Sequence, residues 1–280
     1  MAAKNIDRDV VAGFGDEWAR FDQTGVSSEE LEEMFDRYFR IFPWESLSRD
    51  SVGFDMGCGS GRWAKFVAPR VRELHLIDAS PDALDVARRN LKGFGNCRFH
   101  LAAVDSVPLA DGSFDFGYSL GVLHHLPDTE AGLRSCIAKL KPGAPFLLYL
   151  YYSFDNRPVW YRSVWKASEI IRYFVSRMPH ALRNVLSQVF AGLIYFPVAR
   201  VSLLAEKAGF DVSNFPLAQY RHSSFYVMRN DALDRFGTRL ERRFSRAEVA
   251  ELMSSAGLTD IVFGDAPFWT AVGSKAVRQE

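Results

Sequence analysis

The sequence predicts an α/β protein built on a doubly wound, mostly parallel sheet, and two observations lead to this prediction. Short runs of apolar residues alternate with segments of helical spacing between residues 51 and 152. Strands that alternate with helices favour βαβ units, which place helices on both faces of a parallel sheet. The same alternation returns after residue 244, so the sheet is expected to continue there.

The composition is that of an ordinary globular protein. The 280 residues are 48% hydrophobic and 24% charged, which excludes a disordered chain and a collagen-like fibre. The 34 basic residues balance the 34 acidic ones, so a nucleic-acid partner is not expected. Cys58, Cys97 and Cys136 form no CxxC pair, and we expect neither disulfides nor a metal site.

The low cysteine content predicts a protein of the reducing cytoplasm, and the apolar stretches predict neither export nor membrane crossing. The first ten residues lack the apolar core of an export signal. The longest apolar stretch, from Val189 to Ala199, is shorter than the roughly 20 residues of a spanning helix and contains Pro197. Membrane crossing is therefore not expected, whereas peripheral contact with a membrane surface stays an open alternative.

The elements of the α/β segment follow in order along the chain. Strands are predicted over residues 51–57, 73–79, 97–104, 114–123 and 144–152, and helices over 62–67, 81–91 and 129–140. Ser80 followed by Pro81 is a helix-start signal, and Pro142-Gly143 is a helix-stop signal. After residue 244, Ser245 and Glu248 form a capping box, and the runs 259–266 and 268–276 are expected to pair antiparallel at one sheet edge.

Two further segments flank and interrupt this domain. Residues 1–50 are predicted to form a helical arm, with a Ser27/Glu30 capping box and aromatic residues on one helical face at Phe14, Trp18 and Phe21. The arm either packs on the sheet or closes over a ligand. Residues 153–244 show apolar stripes at helical spacing and are predicted to be a helical insertion. The α/β domain then comprises residues 51–152 and 245–280.

The most informative segment is the loop after the first predicted strand. It contains glycines at every second position: Gly57, Gly59 and Gly61. Glycine permits positive φ and close approach of a ligand to the backbone, and the following helix start offers free N–H groups. A dinucleotide fingerprint would need glycine at Arg62 or Ala64, and a P-loop sequence is absent.

The Asp-x-Gly-x-Gly-x-Gly run resembles motif I of the class I S-adenosylmethionine-dependent methyltransferases. Residues 74–88, 109–128 and 140–152 resemble the family's second strand, its fourth strand and its helix–turn–fifth strand. This resemblance covers about half of the chain. It implies a Rossmann-like seven-stranded sheet with an antiparallel edge strand, S-adenosyl-L-methionine as cofactor, S-adenosyl-L-homocysteine as product, and a small-molecule acceptor.

The resemblance also implies a set of cofactor-binding residues. The three glycines would cradle the amino acid end of the cofactor, Arg62 would pair with its carboxylate, and Asp78 would hold the ribose hydroxyls. For Asp78 the alternative is a helix N-cap, a role for which Ser80 competes. The whole expected set is Asp55, Gly57, Cys58, Gly59, Gly61, Arg62, Asp78, Ala79, Val104, Asp105 and Leu120.

One position departs from the family pattern. The acid that holds the adenine amine falls on Ala103, and an acid follows two residues later at Asp105. Either Asp105 replaces it through a shift of the loop, or the backbone N–H of Val104 recognises adenine alone. Loss of a charge-assisted hydrogen bond costs about 1.5–3 kcal/mol, which weakens binding without abolishing it.

Candidate catalytic residues follow the fourth predicted strand. His124 and His125 lie where open α/β sheets place functional groups, and either could act as general base for a hydroxyl acceptor. The alternative is a structural turn, because His-His-Leu-Pro recurs in this family across enzymes with different acceptors. Lesser candidates are Tyr151, Tyr152, His222 and Tyr226.

The insertion is aromatic and locally basic. From Arg157 to Lys207, eight basic residues face two acidic ones, a local net charge of +6. It is interpreted as an ordinary helical subdomain, as a lid and pocket for an apolar or anionic acceptor, as a membrane-surface helix or as a homodimer interface.

These observations predict an S-adenosylmethionine-dependent methyltransferase that O-methylates a small molecule or a lipid- or sugar-linked metabolite. Two alternatives stay open. One is C-methylation of a lipid or quinone-like acceptor, and the other is a non-catalytic cofactor-binding regulator on the same fold.

Overall fold

The computed structural model describes residues 5–265 and 269–277, which group into two compact units. The first unit contains the described residues of 1–23, 31–153 and 240–280, and the second contains residues 24–30 and 154–239. The predicted strand 268–276 lies within the described residues from residue 269 onward.

The first unit is built on a seven-stranded sheet. Its strands are β1 Val52–Met56, β2 Glu73–Asp78, β3 Cys97–Leu101, β4 Phe116–Leu120, β5 Pro145–Tyr149, β6 Leu258–Phe263 and β7 Ala271–Lys275. They lie in the order β3-β2-β1-β4-β5-β7-β6. Strands β1 to β5 pair in parallel, whereas β7 is antiparallel to both β5 and β6. The predicted mixed sheet is confirmed, with the antiparallel strand next to the edge strand.

Ten α-helices accompany the sheet in the described part of the chain. They are α1 Arg8–Arg20, α2 Ser28–Phe39, α3 Ala64–Val67, α4 Pro81–Asn90, α5 Thr129–Lys139, α6 Val159–Val175, α7 His180–Phe190, α8 Phe196–Lys207, α9 Phe225–Gly237 and α10 Arg246–Ser255. The start of α4 is capped by the Ser80 hydroxyl and that of α5 by the Asp128 carboxylate. Gly257, at φ +94°, follows α10 and leads into β6.

At the centre of the sheet, two glycines and two phenylalanines of neighbouring strands face each other in pairs. Gly53 on β1 lies opposite Phe116 on β4, and Phe54 lies opposite Gly117. A Cβ atom at Gly53 would lie 2.1 Å from the Phe116 ring, and one at Gly117 would lie 2.3 Å from the Phe54 ring. Each ring therefore covers the backbone of the facing glycine, which explains why glycine occurs inside two central strands.

Helices α5 and α10 contribute to a buried cluster of the first unit. This cluster joins them to the central strands through Leu133, Cys136, Ile137, Val249, Met253, Phe54, Phe146 and Leu148. The near-continuous apolar sequence of β5 is explained by this arrangement, since all five of its residues are buried.

Several predicted strands extend past the observed carboxyl ends. β3 ends at Leu101 instead of residue 104, β4 at Leu120 instead of residue 123, and β5 at Tyr149 instead of residue 152. After β4 the chain turns at Gly121, which has φ +78°, and residues Leu123–His125 form a short 3-10 helix. The residues predicted to carry chemistry after β4 therefore lie in a turn at its carboxyl end.

The two predicted capping boxes differ in outcome. At α10, the Ser245 side chain and the Glu248 side chain each accept from the other's backbone N–H, so this box is confirmed. At α2, the Ser27 hydroxyl accepts from the Glu30 N–H, but the Glu30 carboxylate accepts from the Ser224 N–H at 2.8 Å. The second box is only half formed because a residue distant in sequence takes the carboxylate.

Within the second unit, α7 and α8 form one continuous helix from His180 to Lys207. A π-helical turn over Ala191–Tyr195 precedes Pro197, whose ring would otherwise clash with the preceding turn. Among the described helices, this one is long and apolar enough to cross a membrane, judged by length and composition only. The sequence-based estimate fell short because it counted only the contiguous apolar residues 189–199.

Candidate active site

The glycine loop leaves the carboxyl end of β1 in a conformation that requires glycine. Gly57, Gly59 and Gly61 have φ values of +80°, +52° and +74°. The N–H groups of Gly57 and Cys58 donate to the Ile77 carbonyl at 2.8 and 3.0 Å, and these bonds tie the loop to β2. The loop is therefore fixed by its backbone and not by side chains.

Asp78 joins this loop to the start of α4. Its Oδ2 accepts from the Gly59 N–H at 2.9 Å and its Oδ1 accepts from the Ser80 N–H at 2.8 Å. Burial raises the pKa of Asp78, although the backbone N–H groups of Ser80, Gly59 and Ala79 oppose the rise. The N-cap of α4 is Ser80, so Asp78 does not serve as the cap.

The helical arm contacts the glycine loop directly. A Cβ atom at Gly59 would lie 2.8 Å from the Trp18 indole of α1. The Arg62 guanidinium lies 5.2 Å from the centroid of the Trp18 ring and 4.5 Å from that of Trp63. Trp18 and Arg62 therefore stand together at the loop, although the sequence analysis placed only Arg62 in the cofactor set.

These residues fit a nucleoside cofactor that carries an amino acid end. Cβ atoms at Gly57 and Gly61 would lie 2.5 Å from Val122 and 2.8 Å from Leu91, so the loop backbone has no room for side chains. A carboxylate has about four acceptor sites, so Asp78 keeps acceptor capacity for the ribose hydroxyls beside its bonds to the loop and the start of α4. Arg62 supplies a cation for a carboxylate.

The adenine side of the predicted site shows a different arrangement. The Asp105 carboxylate is exposed and accepts from the backbone N–H of Asn5 at 2.8 Å. The Asn5 side chain in turn donates to the Asp128 carbonyl at 2.6 Å and accepts from the Asp128 N–H at 2.8 Å. The Asp105 carboxylate thus binds the N-terminal segment through Asn5, and the neighbouring Val104 is buried. The roles of Asp105 and Val104 toward adenine stay predictions.

Asp55 lies inside β1 beneath the loop. Its carboxyl is buried, and its Oδ2 has no hydrogen-bond partner within residues 5–265 and 269–277. Burial raises the pKa of Asp55 to about 8, with the Tyr118 hydroxyl opposing the rise and Asp78 adding to it. Asp55 is therefore mostly protonated at neutral pH. Burial also raises the pKa of the Cys58 thiol well above its ordinary value.

His124 and His125 lie side by side at the carboxyl end of β4, with ring centroids 3.9 Å apart. His125 Nδ1 donates to the Leu240 carbonyl at 2.7 Å, since a carbonyl can only accept. In the neutral ring, Nε2 is then the unprotonated nitrogen, and it has no hydrogen-bond partner in the described part of the chain. The tautomer of His125 is thus fixed with one basic nitrogen unused.

His124 is fully buried, and neither of its ring nitrogens has a hydrogen-bond partner among the described residues. Burial lowers the pKa of His124 well below its usual value, and the positive charges of His125, when protonated, and of Arg243 lower it further. The ring is therefore neutral at physiological pH. It stacks on Tyr151, with ring centroids 3.9 Å apart.

A buried ion pair completes this cluster, and the sequence analysis missed it. Arg243 Nε donates to Glu241 Oε1 at 2.7 Å, and its guanidinium lies 5.1 Å from the centroid of the Tyr151 ring. Burial acts to lower the pKa of Arg243, but Glu241, Tyr151 and Tyr149 outweigh it, so the net shift is upward. The only signal in the sequence was the position of these charges just before the last helix.

An aromatic wall connects the glycine loop with the histidines. The Tyr38 ring lies 5.1 Å from both the Trp63 and the Tyr149 rings, centroid to centroid, and Tyr149 lies 5.9 Å from Tyr151. From α1, Phe14 reaches His125 at 4.8 Å. Of these rings, the sequence analysis singled out only Phe14 and Tyr151 as candidates near a ligand.

The remaining predicted residues divide into two groups. Ala79 directly follows β2, Leu120 is the last residue of β4, and their roles toward a cofactor stay predictions. Tyr152 pairs with Phe244 and packs on Trp269, while His222 bonds Glu206 and Tyr226 packs against Gly25 in the second unit. Within the residues that the structure describes, no three His, Cys, Asp or Glu side chains are grouped to hold a metal.

Comparison with known proteins agrees with this geometry. Residues 54–143 match the model of a methyltransferase domain family. The chain is 33% identical over 101 residues to an uncharacterized methyltransferase, YcgJ of Bacillus subtilis, covering 35% of this chain and 40% of that protein. It is 26% identical over 160 residues to a ubiquinone biosynthesis O-methyltransferase of Methylocella silvestris, covering 50% of this chain and 61% of the relative.

A solved structure shares the whole fold. A chain of the complex between the Haloferax volcanii Trm112 methyltransferase activator and its partner superposes with a TM-score of 0.54 at 16% identity, covering 97% of this chain and 99% of the other. At that identity the likeness is one of fold alone. Residues 54–143 are thus similar to a methyltransferase domain, and the seven-stranded sheet with one antiparallel strand agrees with the resemblance to the class I S-adenosylmethionine-dependent methyltransferases.

Proposed function

We propose that this chain transfers the methyl group of S-adenosylmethionine to a hydroxyl oxygen of a small-molecule acceptor. The observation that carries the proposal is the Asp78 carboxylate, which bonds both Gly59 of the glycine loop and Ser80 at the start of α4. When bound, the cofactor supplies a methyl group on a sulfonium, which is displaced in line by a nucleophile. Asp78 and the loop would hold and orient it.

We assign His125 as the general base that accepts the proton of the acceptor hydroxyl. Its Nδ1–H is held by Leu240, so Nε2 carries a lone pair in a site almost closed to water. A positioned base of this kind contributes about 10²–10⁴ to the rate. His124 stays neutral beside it, which avoids a second positive charge when His125 takes up the proton. The tyrosine rings would exclude water from the reacting atoms.

A hydroxyl acceptor is also supported by a relative. The Methylocella silvestris protein is described as an O-methyltransferase, and its likeness covers 50% of this chain. The second candidate is transfer to carbon, which the aromatic wall favours because rings such as Tyr38 and Tyr149 can stabilise positive charge near the sulfonium. Acceptor selection by residues 153–244 stays a prediction of the sequence.

The test combines binding with product analysis. Calorimetry with S-adenosylhomocysteine measures the cofactor site, and turnover with ¹³C-methyl S-adenosylmethionine over a panel of phenols and hydroxylated lipids measures transfer. We expect a labelled methyl ether, identified by its carbon chemical shift. A methyl group on carbon would replace the hydroxyl proposal by the second candidate. Binding without turnover of any acceptor would favour a non-catalytic regulator.

The assignment of the base is tested by His125→Gln, with the exposed His222→Gln as the matched control. The first change is expected to lower kcat by about 10²–10⁴, while the affinity for S-adenosylhomocysteine stays unchanged. Equal kcat values for the two variants would overturn the role of His125.

A further inference from the structure

Two helices of the second unit, α6 and the continuous α7–α8 helix, are inverted in polarity relative to an ordinary surface helix: their large apolar residues are mostly exposed. The buried positions of the continuous α7–α8 helix carry small or polar residues: Arg183, Ser187, Ala191, Tyr195, Ala199 and Ser202. Its exposed positions carry large apolar residues: Leu182, Val185, Val189, Leu193, Phe196, Val201 and Leu204. We call this second set the α7–α8 stripe. Its members recur every three to five residues, so they share one face.

The buried face of the α7–α8 helix packs against α9. Arg183 donates to the Gly237 carbonyl at 2.7 Å, and Ala191, Tyr195 and Ala199 pack in one cluster with Met228 of α9. In the most apolar window of this helix, only 22% of the residues are buried. A core helix of a water-soluble protein would show the opposite distribution, with its large apolar residues inside.

Helix α6 repeats the inversion. Its inner side carries an ion-pair cluster, in which the Glu169 carboxylate accepts from Arg172 at 2.7 Å and pairs with Arg235 of α9. Its outer side exposes Val159, Trp160, Val164, Ile170, Ile171, Tyr173 and Phe174. Of these, Phe174 is 61% exposed, and in the α7–α8 stripe Leu193 is 74% exposed. Single exposed apolar residues are common, but contiguous rows of this size mark an interaction surface.

The charge around these rows identifies the partner. Between residues 157 and 207 the exposed charged side chains are all basic: Arg162, Lys166, Arg177 and Lys207. The two acids of this segment are neutralised, Glu169 by the pairs above and Glu206 by Arg221 at 2.7 Å. Lys and Arg beside an apolar face can extend their heads to lipid phosphates while their stems lie along the apolar surface.

We propose that the outward faces of α6 and of the α7–α8 stripe dock onto an anionic lipid bilayer, with the apolar side chains in the boundary of the acyl region. The helix lies on the bilayer and does not cross it, because on its other side Arg183 donates to the Gly237 carbonyl and Ser187 is fully buried. A row of 28 residues measures about 42 Å, long enough for extended contact. This proposal is independent of the methyl transfer reaction.

The test is flotation of the full-length protein with vesicles of phosphatidylglycerol or of phosphatidylcholine. The protein is expected to float with phosphatidylglycerol and to bind phosphatidylcholine about tenfold or more weakly. The double variant Leu193→Glu/Leu204→Glu should lose flotation with both lipids. The matched control is Val262→Glu on β6, a 53% exposed apolar residue outside this surface, and it should float like the wild type.

Charge is tested separately by Arg162→Glu/Lys166→Glu, which should weaken binding to phosphatidylglycerol and leave the weak binding to phosphatidylcholine unchanged. Thermal unfolding of each variant verifies that it is folded. The proposal is overturned if the wild type does not float, or if the Leu193/Leu204 variant floats as well as Val262→Glu. It is also overturned if light scattering without lipid shows a stable dimer that the same double variant dissociates, since a second copy then covers the stripe.

Discussion

Asp78 is the residue on which the proposed cofactor binding depends most directly. In Asp78→Asn the side chain keeps its size but loses its charge and half of its acceptor capacity, while Gly59 and Ser80 still need an acceptor. The two hydrogen bonds that the ribose hydroxyls would donate to Asp78 lose their charge assistance. This loss costs about 3 kcal/mol, so the affinity for S-adenosylhomocysteine should fall about a hundredfold. Asp85→Asn on α4, whose side chain is 64% exposed, is the control with the same change of charge. Equal affinities in calorimetry would contradict the assignment.

His124 makes the stability of the fold depend on pH. Burial lowers its pKa well below 6.5, so the folded chain keeps this ring neutral while the unfolded chain protonates it below about pH 6.5. The unfolded state then binds more protons, and the free energy of unfolding falls on acidification by up to about 1.4 kcal/mol per pH unit.

The variant His124→Phe removes this dependence while keeping a flat ring on Tyr151. Urea unfolding between pH 5 and pH 8 should show a smaller loss of stability below pH 6.5 than in the wild type. His222→Phe, at an exposed position, should follow the wild-type curve. Parallel curves for the wild type and His124→Phe would show that His124 does not carry the effect.

At this scale, the residues that sequence reasoning located are those whose geometry is local. The glycines and Asp78 follow from a strand, a loop and the next strand, and their positions agree with the prediction. Asp105 could not be placed in the same way, because its partner Asn5 is distant in the chain. Arg243 was missed for a similar reason, since its contact with Tyr151 joins segments that no local spacing connects.

Among the elements, α1 packs closely against α4 at a single glycine. A Cβ atom at Gly15 would lie 2.6 Å from the Ser80 hydroxyl, whereas nothing lies within 4 Å of one at Gly13. Gly15→Ala should therefore push α1 away from the start of α4 and cost about 1–3 kcal/mol of stability. It should also weaken S-adenosylhomocysteine binding, because Trp18 moves from the loop.

Gly13→Ala is the matched change in the same helix. Because the position is open, the variant should gain up to about 1 kcal/mol from helix propensity and bind S-adenosylhomocysteine like the wild type. Thermal unfolding and calorimetry of both variants provide the comparison. If Gly15→Ala is as stable and binds as tightly as Gly13→Ala, the contact of α1 with α4 does not control the site.

Periodicity predicted the elements better than their ends. The alternation of apolar runs located all seven strands, since a buried parallel sheet requires such runs. Strand ends were less accurate after β3 and β4, where apolar residues continue into loops. Exposure of the second unit's helices was not predictable, because an apolar stripe at helical spacing reads the same whether it faces a core or another surface.

At the scale of the whole molecule, the predicted cofactor residues and the exposed apolar helices α6 and α7–α8 belong to different units. Every residue placed at the glycine loop or beside the histidines belongs to the first unit, and the second unit begins after Ser153 and ends before Leu240. The Ser153 N–H donates to the Phe244 carbonyl at 3.0 Å, so the first unit itself holds the chain close to both junctions. Its fold is thus expected to survive without residues 154–239.

A variant in which a Gly/Ser linker of about ten residues replaces residues 154–239 tests this division, since such a linker spans about 17 Å on average. It should fold and bind S-adenosylhomocysteine within about threefold of the full chain, because Asp78, the glycine loop and α1 are all retained. Methyl transfer should be lost if residues 153–244 select the acceptor, as the sequence predicts. A folded variant that no longer binds S-adenosylhomocysteine would show that the second unit contributes to the cofactor site. An unfolded one would show that the first unit is not an independent core.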